Sequence, residues 1–117
     1  MEDKKTIGLT AENRAVMERL MSKEVFRHDK DMALFAMSYA IRQDAAPGSF
    51  EGTGTIWNVG SLDPTGDIRI LLGNLFPDTV TPYRLLESLI NTGMSEIGSR
   101  LREDPGMDVT DLLSNQP

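Results

Sequence analysis

Apolar and polar residues alternate in several different periods along this chain, and each period predicts an element. Residues 32–41, MALFAMSYAI, are apolar at nine of ten positions, with only Ser38 interrupting. The run is rich in Ala, Met and Leu, which favour helix, and a helix apolar on nearly every side is a buried one. It is too short for a bilayer, which needs about 20 such residues. Upstream, residues 4–9 alternate as a short strand, with Ile7 and Leu9 on one side and Thr6 and Gly8 on the other. Thr10 then caps a helix over 11–24, whose Val16, Met17, Leu20 and Met21 form one inward stripe. Asp29 or Asp31 opens the apolar second helix, which ends near 42–44 before Pro47-Gly48.

Residues 45–62 have no helical period and are glycine-rich. Within them, residues 55–59 (TIWNV) read as a short strand, and Trp57, the single tryptophan, as the side chain that anchors this loop. Asp63-Pro64 signals the next helix start, running to Phe76 with Ile68, Leu71, Leu72 and Leu75 inward. Thr81-Pro82 repeats the signal and opens a helix to about Asn91, which Gly93 closes. Met94, Ile97 and Leu101 mark a fifth helix, and Pro105 and Gly106 end the pattern.

These elements predict one mainly α domain over 1–117: about five helices, one short N-terminal β-strand and a glycine-rich loop. It divides into a strand-helix-helix front (4–44), the loop (45–62), a helical half (63–104) and a mobile tail (105–117). A lone strand leaves its backbone groups unpaired, so its expected partner is the same strand of another copy. Ile7, Leu9, Met32, Phe35, Ala36 and Tyr39 are then the expected seam of a homo-oligomer.

Composition narrows the chemistry. There is no cysteine and one histidine, His28, so zinc is not expected, and no other metal or cofactor is. Asp63 and Asp67 are better explained as turn and cap than as cation ligands. No nucleophile, base and acid assemble in the sequence, so an enzyme is not expected. The opening residues carry no apolar run; neither signal peptide nor membrane anchor is expected, and the cytoplasm is the default location. The net charge of −6 is unevenly spread. Residues 1–44 hold eight bases and eight acids, whereas residues 45–117 hold four against ten. The second half therefore repels DNA and favours a basic protein partner.

The order strand, capped helix, turn, helix over residues 4–42 resembles the ribbon-helix-helix proteins. The resemblance implies a dimer whose paired strands lie in the major groove of DNA, with Lys4, Lys5, Thr6 and Gly8 toward the nucleic acid. It departs from the family at helix 2, where Asp29 and Asp31 occupy the end that would seat a phosphate. Thr6 and Gly8 also read bases poorly. The sequence thus points to a self-associating accessory or regulatory protein that binds DNA through its first strand. The alternative is an acidic adaptor that docks a partner through its second half and the Trp57 loop.

Overall fold

The computed structural model describes residues 2–48, 50, 52–104, 106 and 111–112. Its elements are β1 (Thr6–Leu9), α1 (Ala11–Met21), α2 (Asp29–Arg42), β2 (Gly54–Asn58), α3 (Val59–Leu62), α4 (Asp67–Leu75) and α5 (Pro82–Glu103). The mainly α class and the N-terminal strand agree with the sequence pattern. Except for Gly106, Asp111 and Leu112, the expected mobile tail lies outside the described residues. Leu112 is buried in the core.

The N-terminal strand has its partner in the same chain. β1 pairs antiparallel with β2, Thr6 opposite Asn58 and Ile7 opposite Trp57, then Gly8 opposite Thr55 and Leu9 opposite Gly54. Ile56 is the extra residue of the bulge this register requires. Gly8 is needed at the bulge, since a Cβ there would stand 2.6 Å from the Gly54 carbonyl oxygen. The second strand falls where TIWNV was expected. What the sequence pattern did not join was the two strands, which lie more than forty residues apart.

α5 is the spine. It packs on α1, α2, α4 and β1, and it runs unbroken through Gly93, where the sequence pattern predicts a stop. The reason is packing. A Cβ on Gly93 would run into the Ala36 carbonyl of α2, so the glycine permits a close crossing of two helices rather than a turn. The propensity cost of glycine inside a helix, about 1 kcal/mol, is outweighed by what that crossing buries. On α2, Met32, Ala33, Ala36, Met37, Tyr39 and Ala40 are buried, and the remaining residues of 32–41 are half-buried.

The residues of the expected seam lie inside one chain. Ile7, Leu9, Met32, Ala36 and Tyr39 are buried within a single chain, and half-buried Phe35 stacks between Phe26 and Tyr39 at centroid distances of 5.3 and 6.1 Å. The apolar rod needs no twin to be hidden, because α5 covers it.

Adjacent residues hold the starts of α1 and α4, and a distant one holds the start of α5. Thr10 caps α1 as expected, its Oγ1 accepting from the Asn13 amide at 3.1 Å. α1 stops at Met21, short of the predicted 24, where Glu24 takes a left-handed φ of 59°. His28, not an aspartate, stands at the N-cap of α2, and it makes no side-chain cap bond. Thr81 makes none at α5 either. Instead Asp3 accepts from the amides of Tyr83 and Arg84, both at 2.9 Å. Asp63 does cap α4, accepting from the Ile68 and Arg69 amides at 3.0 and 3.1 Å and from the Tyr83 hydroxyl at 2.9 Å.

Candidate protein-interaction surface

The edge of β1 that does not face β2 is closed by side chains of α5. The Gly8 amide donates to Glu87 Oε2 at 2.8 Å, and Asn91 Nδ2 donates to the Gly8 carbonyl at 3.0 Å. The Thr10 amide donates to Asn91 Oδ1, which also accepts from Asn13 Nδ2. Ser95 Oγ donates to Asn13 Oδ1. Asn13, Glu87 and Asn91 are all buried. Lys4 Nζ lies 3.0 Å from Glu87 Oε2 and offsets its charge. Two residues one helical turn apart thus stand in for a neighbouring strand, answering both backbone groups of Gly8 in β1 and the amide of Thr10 just beyond it.

That arrangement decides what the N-terminal positions can offer. Of the four candidate DNA contacts, Lys5 alone is exposed. Lys4 is engaged by Glu87, Thr6 is half-buried, and Gly8 is buried with its amide and carbonyl both used. Trp57 is buried too. Its Nε1 donates to Asp29 Oδ1 at 3.1 Å, pinning β2 to the start of α2. Through this bond the strand of the glycine-rich loop is held against α2.

His28 is exposed at the mouth of α2. Among the described residues no three His, Cys, Asp or Glu side chains converge to hold a metal. A surface depression of about 390 Å³ lies beside α5 and is lined by Ala46, Gly48, Phe50, Thr92, Ser95, Glu96 and Ser99. It brings the hydroxyls of Thr92, Ser95 and Ser99 together with the Glu96 carboxylate. No described helix is long and apolar enough to cross a membrane.

The feature that stands out is α4. The predicted inward stripe is only partly inward: Leu72 is buried and Ile68 half-buried. Leu71 remains 43% exposed, Leu75 49% and Ile70 57%, and Val80 in the following turn is 79% exposed. Four of the five large apolar side chains exposed on the described surface therefore belong to this one segment. Exposed apolar side chains gathered on one short segment of a small domain are the kind of surface that contact sites use. Asp67 at its start and Asp78 two residues before Val80 are exposed, as is Arg69 beside Ile70. Ile70 and Val80 stood outside the helical stripe, and that mismatch is the sequence signal for a second apolar face. Set against family models, curated proteins and solved structures, the chain matches none.

Proposed function

We propose that the chain is a non-enzymatic accessory protein that works by docking another protein on α4. The observation that carries this reading is the exposure of Ile70, Leu71, Leu75 and Val80 together. The partner class follows from the rim. Asp67 and Asp78, on a half of the chain with net charge −6, favour an apolar helix whose ends carry lysine or arginine. Apolar contacts supply affinity, and the rim charges set orientation and encounter rate.

A synthetic amphipathic helix with a leucine face and lysines at both ends tests this by calorimetry, with a glutamate-ended version as its control. The native chain is expected to bind the first and not the second. Ile70→Asp/Leu75→Asp is expected to weaken binding at least tenfold while leaving the melting curve unchanged, since both side chains already face water. Equal binding by the variant, or no preference between the peptides, overturns the reading.

A further inference from the structure

A second surface, independent of α4, is the outer edge of β2. The sheet has two strands, so β2 is paired on one side only. Among the described residues no backbone hydrogen bond is made to its other side. Gly54, Thr55 and Asn58 are exposed, and a Cβ built on Gly54 would meet nothing within 4 Å. Natural proteins guard such an edge with lysine, proline or other charges. β2 has none of these. Residues 52–62, GTGTIWNVGSL, are the longest run without a charged residue in a chain of net charge −6.

We propose that this edge is a self-association site, where β2 of one copy pairs antiparallel with β2 of a second about a two-fold axis. The occupant is argued from closure. A strand added to β2 carries a far edge of its own, which must be covered in turn. In a second copy that far edge is β1, and β1 is already closed by Glu87 and Asn91. The assembly β1-β2-β2-β1 therefore ends after four strands, each outer edge covered at Gly8 by α5. Identical strands meeting across a two-fold need no second complementary surface, and the uncharged run puts no like charges opposite each other. The bulge at Ile56 shortens the ladder, so the dimer is weak and concentration-dependent.

Sedimentation of the full chain from micromolar to millimolar concentration tests the proposal. The weight-average mass is expected to rise from the 13.0 kDa of one chain toward twice that value. The backbone amides of residues 54–58 are expected to exchange more slowly on concentration. Thr55→Lys places like charges across the two-fold and is expected to remain monomeric with an unchanged melting curve. Leu71→Asp on α4 is expected to dimerise like the native chain, which separates this proposal from the partner-docking one. A mass of 13.0 kDa at every concentration overturns it. So does a dimer that Leu71→Asp abolishes and Thr55→Lys does not, or one formed without added protection at 54–58. Should Thr55→Lys fail to fold, amide exchange of the native chain decides alone.

Discussion

Asn91 joins β1, α1 and α5 through one amide. It donates to the carbonyls of Gly8 and Glu87 and accepts from Thr10 and Asn13. Asn91→Ala leaves the buried Gly8 carbonyl and the part-buried Thr10 amide without those partners. Each such group costs about 1–3 kcal/mol, so a loss of roughly 3 kcal/mol or more is expected in urea unfolding. Two glycines give a sharper contrast. Gly93→Ala should destabilise by several kcal/mol, about the cost of an overpacked core or more, because its Cβ meets the Ala36 carbonyl. Gly73→Ala, exposed on α4 with nothing within 4 Å, should stabilise by up to about 1 kcal/mol. Tyr83 adds a pH dependence. Burial, then its hydrogen bond to Asp63 and the charge of that carboxylate, push its hydroxyl above the ordinary tyrosine value. The neutral form is favoured in the fold, so its contribution is full below about pH 10 and is lost as pH rises past that point. The melting-temperature difference between the native chain and Tyr83→Phe should be flat below about pH 10 and change above it. Little of this was legible in the sequence. Thr10 as a cap was, since a cap acts within four residues. Asn13, Glu87 and Asn91 look like ordinary polar helix positions, because their partners lie about 80 residues away.

Among the elements, local pattern was read well and pairing was not. The hidden stretch at 32–41, the strand at β1 and the strand within TIWNV are all present. Their periods are properties of a few consecutive residues. The ladder between β1 and β2 depends on a return of the chain across α1, α2 and the glycine-rich loop, which no local period encodes. The same limit explains α5: a glycine that ends a helix and one that admits a neighbouring helix look identical until the neighbour is placed. α4 shows the opposite case, a helix whose pattern promised more burial than the fold supplies. Leu71→Asp is accordingly expected to shift the melting temperature by no more than a surface substitution does, within about 0.5 kcal/mol. Leu72→Asp, one residue on and buried, is expected to abolish cooperative unfolding. Parallel thermal melts of the two variants check which face of the helix is spare.

For the whole molecule, the two proposed surfaces lie on different elements, α4 and the edge of β2. A dimer joined through β2 presents two α4 faces, so a partner with two docking segments would bind more tightly than either segment alone. The way β1 is closed also bears on how the protein is made. Its two edges wait for β2 and for Glu87 and Asn91, the latter 79 and 83 residues beyond Gly8. At about 5–20 residues per second, a nascent chain leaves the ribosome with that strand bare for on the order of ten seconds. Until α5 emerges, Ile7, Leu9 and the greasy 32–41 stretch are open to chaperones and to neighbouring nascent chains on the same message. Synthesis rate near the codons for α5 is therefore a lever on yield.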